Sequence, residues 1–285
     1  MKSDLTSAQL NESAMEYFAK GDSASSLNQL QDALLLNPDY HEAWYNRAVV
    51  LLTIGKVFDA MVCCSHALAA APKAAAYYGL LGVCHMQLNR LQQADDLYDK
   101  AIEIDPNLAS VWVNKGMVHR LGGFLQDAVE YHSKAIELDP NNSDYRMRLG
   151  LACLQAGDLK RGWIEYEKRI YGANTPVRIL SLPEWRGQRD GGVVLYSEQG
   201  FGDVIQFVRF APIIKEMYGI SVWIEVKKPL LSLCRTLRRI DGVIAYGDDM
   251  PKDASYCLSV INSPRWCECN TFDDIPTEPY LGETC

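Results

Sequence analysis

The 285-residue sequence predicts a mixed fold, α followed by α/β: a helical solenoid and then one parallel-sheet half domain. Three observations predict it. Pro38, Pro72, Pro106 and Pro140 stand 34 residues apart, and Gly21, Gly55, Asn89, Gly123 and Gly157 keep the same interval. That period stops after Gly172. Beyond it, short apolar runs alternate with amphipathic ones, the pattern of strands joined by helices in a parallel sheet.

Within each period, an apolar helical stretch ends at proline, as in "ALLLNP", "ALAAAP", "AIEIDP" and "AIELDP". Proline ends one helix and starts the next unit, because it lacks an N–H and restricts the residue before it. The glycine or asparagine midway tolerates positive φ and so suits a turn between two helices. Small residues recur where paired helices must approach: Ala14, Ala48, Gly82, Gly116 and Gly150 in first helices, and Ala33, Ala67, Ala101 and Ala135 in second helices. Large residues fill the alternate holes, among them Trp44, Tyr78, Trp112, Leu30, Tyr98 and Tyr166. The fifth unit departs from the pattern, with Gly162 and Arg169 where alanines are expected. It is expected to end the array and to dock on the α/β part.

In period and anchor residues this half resembles the tetratricopeptide repeat (TPR) family, over about residues 7–174 in five units. The resemblance implies stacked helix pairs with a concave groove that binds a protein or peptide ligand. Asn46 and Asn114 share one first-helix position two repeats apart. The resemblance to O-linked N-acetylglucosamine transferases implies that amides there bind the main chain of an extended peptide, since an amide offers both donor and acceptor. Glu12, Leu80 and Arg148 interrupt that ladder, and two ordinary surface asparagines remain the alternative. All five histidines (His41, His66, His85, His119 and His132) fall in the repeats at unmatched positions and read as structural.

After a linker, residues 175–191, "GVVLYS", "SVWIEV" and "GVIAYG" read as strands and "SYCLSVIN" as a possible fourth. Residues 203–218 and "PLLSLCRTLRRI" read as helices, giving a Rossmann-like parallel-sheet half domain over residues 192–285. The turn "SEQGFGDVI" comes directly after the first strand, at the sheet edge where open α/β folds bind ligands. Gly200 and Gly202 let a ligand approach the backbone, but the third glycine of a dinucleotide fingerprint is missing. No acidic ribose ligand is clear at the end of the second strand either, unless Glu225 serves.

Taken in order, "PEWRG", "EQGFGDVIQF", "VWIEVKKPLL" and "IPTEPYL" resemble the first half of a GT-B glycosyltransferase related to heptosyltransferases, over about residues 183–281. That resemblance implies an acceptor-side domain in which Asp203 serves as base for the acceptor hydroxyl, with Glu198, Gln199, Gly200 and Gly202 contacting substrate. A carboxylate suits proton abstraction. Asp203 as a simple helix cap, accepting amide hydrogen bonds at the helix start, is the alternative. The resemblance also implies a donor-binding half, for which no residues are found, so a nucleotide-sugar-binding partner chain would have to supply it. The competing reading is a non-catalytic adaptor whose α/β part docks or caps.

Composition bounds the rest. A formal net charge of -8 argues against nucleic-acid or anionic-membrane binding. No run is long enough to span a membrane and no signal peptide is visible, so the expectation is a cytoplasmic protein. The basic run Lys227, Lys228, Arg235, Arg238 and Arg239 reads as a solvated face. The nine cysteines suit a reducing compartment, and Cys257, Cys267, Cys269 and Cys285 lack the spacing of a zinc site. No metal and no cofactor are implied.

Overall fold

The structure, a computed structural model, describes residues 6–171 and 180–282. Helices come in pairs at the expected interval: α1 (Ser7–Ala19) with α2 (Ser23–Leu36), α3 (His41–Thr53) with α4 (Val57–Ala70), α5 (Ala75–Gln87) with α6 (Leu91–Ile104), and α7 (Ala109–Leu121) with α8 (Leu125–Leu138). A fifth pair, α9 (Ser143–Ala156) and α10 (Leu159–Tyr166), comes next. Local chemistry sets the ends. Thr6 and Gln9 form a reciprocal capping box on α1, and Asp22 and Asp158 cap α2 and α10 through the amides of Ser25 and Arg161. The midway turns all have positive φ, at Gly21, Gly55, Asn89, Gly123 and Gly157. Trp44 and Trp112, at one register position, each donate an indole N–H to the carbonyl of the preceding proline, Pro38 and Pro106, at 2.7 and 2.8 Å.

Within a pair, the small residue of the first helix faces the residue sixteen positions later. A Cβ on Gly82 would lie 2.5 Å from the ring of Tyr98, one on Gly116 2.8 Å from His132, and one on Gly150 2.4 Å from the backbone of Tyr166. Where alanine replaces glycine, at Ala14 and Ala48, the residues at the facing positions are the smaller Leu30 and Cys64. This pairing also accounts for His132, fully buried as a core residue.

The chain splits into two compact units, Met1–Tyr145 and Arg146–Cys285. Repeat period and compactness therefore divide it at different places. The reason lies in the fifth pair, where Leu159 belongs to the α/β core and Leu154, Trp163 and Tyr166 pack on it.

In the second unit β1 (Gly192–Tyr196), β2 (Val222–Val226), β3 (Gly242–Ala245) and β4 (Ala254–Ser259) form one sheet in the order β3-β2-β1-β4, all pairs parallel. β1 is buried throughout, as expected of a central parallel strand. The helix expected over residues 203–218 is two: α11 (Phe201–Phe207) and α12 (Ala211–Tyr218), separated by a 3-10 turn at Val208–Phe210 ahead of Pro212. The helix expected over 229–240 shortens to α13 (Leu231–Cys234), where the Thr236 hydroxyl donates to the Leu233 carbonyl and competes with the ladder. A last short helix, α14 (Ser263–Trp266), lies beyond β4.

Part of the expected linker is built into the core. Pro183 and Trp185 exchange backbone hydrogen bonds with Cys257 on the outer side of β4, and the Trp185 ring is completely buried. Residues 172–179 lie outside the described residues.

Candidate functional site

Two regions carry the expected residues, one in each unit. In the first unit, the first helices of successive pairs touch one another in series, α1 with α3, α3 with α5 and α5 with α7. They therefore line the tighter, inner side. Asn46 lies on that row, half-buried, and donates from Nδ2 to Oδ1 of Asn11 on α1 at 2.8 Å. This bond orients the Asn46 amide. Beside it Tyr45 stacks on Tyr77 of α5 at 4.8 Å, and the Tyr77 hydroxyl lies 2.7 Å from Nδ1 of His41. Burial, with the nearby Glu42 carboxylate, pushes the Tyr77 phenol up to about 12, so it stays a neutral hydrogen-bonding group. Asn114, on α7, is half-buried and removed from this cluster by a repeat whose matching position is Leu80. Asn11, Tyr45 and Tyr77 are not legible as a site in the sequence, because Asn46 meets its neighbour one residue out of register with the single position at which an amide ladder is expected.

On α7 and its neighbours lies a second polar cluster. The buried Lys115 ammonium contacts Asp95 at 2.6 Å and Asp99 at 2.9 Å, while His119 bridges Asp95 and Asp127 at 3.2 and 3.1 Å. These pairs satisfy one another across α6, α7 and α8, a structural use of charge inside the array.

In the second unit the loop from β1 to α11 holds Glu198, Gln199 and Gly200, and the first turn of α11 holds Gly202 and Asp203. The strand order reverses at β1, with β2 on one side and β4 on the other, so this loop lies at the topological switch point. Asp203 is half-buried and accepts a hydrogen bond from the Gly200 amide at 3.1 Å, across the first turn of α11. Gly200 and Gly202 are exposed, neither has positive φ, and a Cβ on Gly202 would meet nothing. Phe201 stands 44% exposed between them with Lys227 over its ring. The loop surface is thus open and its glycines are not needed for the turn itself.

Below that surface the chemistry changes. The Glu198 side chain is 1% exposed and forms an ion pair with Arg169, which is 2% exposed. Arg169 also donates to Asn262 Oδ1 at 2.8 Å, Ser259 Oγ at 3.2 Å and the Tyr166 carbonyl at 3.2 Å, and Ser259 Oγ donates to Glu198 Oε1 at 2.7 Å. Gln199 sits 3.5 Å from the Tyr166 hydroxyl. Glu198 is therefore an internal partner and not a group exposed on the loop surface. Glu225 is completely buried on β2. All five members of the basic run are exposed or half-exposed. Cys257, Cys267 and Cys269 each direct Sγ to a different carbonyl, of Leu182, Phe210 and Thr271, and Cys285 lies outside the described residues. No helix among the described residues is long and apolar enough to cross a membrane.

Comparison with known proteins bears on the first region. Protein FlbA of Caulobacter vibrioides is 24% identical over 192 residues, which is 65% of this chain and 32% of FlbA. The chain thus spans about a third of that relative's length. Among solved structures, TTC0263, a thermophilic TPR protein of Thermus thermophilus, matches with a TM-score of 0.54 and 23% identity over 60% of this chain and 93% of its own. A chain of the APC/C hetero-tetramer Cut9–Hcn1 matches with a TM-score of 0.58 and 14% identity, over 61% of this chain and 35% of its own. Tetratricopeptide repeat models match residues 11–61, 75–108 and 114–177. The helical part of this chain, with its positive-φ turns and glycine–aromatic pairs, belongs to the tetratricopeptide repeat family.

Proposed function

We infer that the chain is a protein-binding scaffold whose inner helical row takes an extended segment of a partner protein. One observation carries this reading. The row α1–α3–α5 presents an oriented amide, Asn46 held by Asn11, beside the stacked pair Tyr45–Tyr77, all on the face where first helices meet. Amides hold a peptide main chain, while the half-buried Tyr45, backed by the buried Tyr77, gives flat contact area at low entropic cost. Asn114 extends the same row and forms a second, separate anchor.

The α/β unit is the acceptor side of a glycosyltransferase-like pair, contributing Gln199 and Gly200 on an open loop, Gly202 and Asp203 in the first turn of α11, and Glu198 beneath them. A nucleotide-sugar-binding half, outside this sequence, would complete it. The loop's place at the switch point and its exposed surface support that assignment. Without such a partner, the unit serves as an adaptor.

Panning an unbiased peptide library on the full chain, then measuring the selected peptide by calorimetry, tests the first reading. Asn46→Ala together with Tyr45→Ala is expected to weaken that peptide at least tenfold, and Asn114→Ala less. Affinity unchanged in the double variant rejects the groove. For the second reading, Asp203→Asn is expected to abolish glycosyl transfer reconstituted with a donor half. Full turnover by that variant removes Asp203 as base.

A further inference from the structure

Arg169 stands at the repeat position that holds fully buried alanines in the other second helices, Ala33, Ala67, Ala101 and Ala135. Its backbone lies in a 3-10 turn, Glu167–Tyr171, that ends the fifth pair. Its guanidinium reaches the carboxyl ends of β1 and β4, through Glu198 after β1 and Ser259 and Asn262 at the end of β4. That is the switch point, where an open α/β sheet receives a ligand.

The pairing there is incomplete. An arginine fork and a carboxylate usually meet through two parallel hydrogen bonds. Here Glu198 uses Oε1 alone, shared between Arg169 and Ser259, and Oε2 is buried with no partner among the described residues. Arg169 Nε is likewise buried without one among the described residues. A buried ion pair left half-satisfied costs stability that a fully hydrogen-bonded pair would not. Around it lie the Ser259 hydroxyl, which donates to Glu198 Oε1, and the Asn262 amide, whose Oδ1 accepts from the same guanidinium, a polar lining that with Arg169 suits an oxyanion with several acceptor oxygens.

We propose that Arg169, Ser259 and Asn262 form a phosphate-group site held closed by the chain's own Glu198. The Glu198 carboxylate is a placeholder at the guanidinium, and a phosphate group replaces it as the β1–α11 loop moves outward. The site stands on this geometry alone and requires neither peptide binding nor glycosyl transfer. Arginine is well matched to phosphate because its planar fork offers paired donors at fixed spacing.

The test is titration of inorganic phosphate into the full chain at constant ionic strength, by calorimetry and by thermal shift. If Glu198 fills the site nine-tenths of the time or more, its removal raises apparent affinity about tenfold or more, because affinity scales with the competent fraction. Glu198→Gln is therefore expected to bind phosphate at least tenfold more tightly than the unaltered chain, and Arg169→Met to lose that binding. Equal affinity in Glu198→Gln and the unaltered chain overturns the proposal, as does phosphate binding retained in Arg169→Met, which would place the ion on the exposed basic run. Should Glu198→Gln fail to fold in chloride, refolding in phosphate decides. Recovery in phosphate alone supports the site, and failure in both salts overturns it.

Discussion

Replacing Gly82 with alanine is expected to reverse sign with its neighbour. In a helix, alanine is favoured over glycine by about 1 kcal/mol. At Gly82 the added Cβ would stand 2.5 Å from Tyr98 Cε1 and 2.9 Å from Cδ1 and Cζ, against roughly 3.5–4.0 Å for an ordinary carbon contact. Tyr98 is fully buried, so the ring has nowhere to yield. Overpacking of that kind costs about 1–3 kcal/mol, leaving a net loss of about 1 kcal/mol. The first repeat carries the alternative solution, Ala14 and Leu30 at the same two positions. Tyr98→Leu removes the clash along with a buried hydroxyl that has no hydrogen-bond partner among the described residues. In that background Gly82→Ala should stabilise by up to about 1 kcal/mol, a coupling of about 1–3 kcal/mol. Urea unfolding of the four proteins, followed by far-UV circular dichroism, measures it. If Gly82→Ala shifts the midpoint equally with Tyr98 or with leucine at that position, the glycine–aromatic pairing is not what sets residue size here.

Three further expectations rest on the same kinds of contact. Asn89 is the one non-glycine among the midway turns, at φ 56°, so Asn89→Gly should raise stability by a few tenths of a kcal/mol, whereas Gly55→Ala, at φ 79°, should cost about 1 kcal/mol or more; midpoint shifts of the same sign would refute the argument. Trp185→Ala removes a fully buried indole from the α/β core and should cost about 3–5 kcal/mol, seen as loss of the cooperative transition of that unit. Burial pushes the thiols of Cys153, Cys234 and Cys257 up to about 11, from an ordinary value of 9.0. Between those values the unfolded chain has released protons that the folded chain keeps, so the contribution of these thiols is constant below about pH 9 and falls as pH rises to about 11. Urea midpoints at about pH 8 and about pH 10 check this, and a higher midpoint at the more alkaline pH would contradict it.

The helical half was legible because its constraints are local and repeated. A turn that needs positive φ keeps glycine or asparagine at Gly21 and Asn89 alike, and a helix contact with no room for a side chain keeps Gly82 or Gly150. Strand positions were legible too, since β1 through β4 are apolar runs bounded by turns. Helix lengths in the α/β part were not, because Pro212 and Thr236 act through single hydrogen bonds that periodicity does not register. The candidate site was half-visible. Asp203 and the two glycines lie close in sequence, while Glu198 gives no sign of its partners. Arg169 showed only as a break in the repeat, and Ser259 and Asn262, about ninety residues further on, are joined to it by topology alone.

The strip Pro183–Trp185 bears on where this molecule can be divided. Cutting at Gly192, where the first strand begins, would strip the outer flank of β4 and leave its backbone groups free to recruit another chain. Cutting ahead of Leu182 keeps the flank but forfeits Leu159 and Trp163, which the same core requires. A sheet that borrows its walls from the helices before it cannot be shuffled onto a new array without carrying the fifth helical pair along. Recombination within this family should therefore fall before that pair, leaving the preceding repeats free to vary in number.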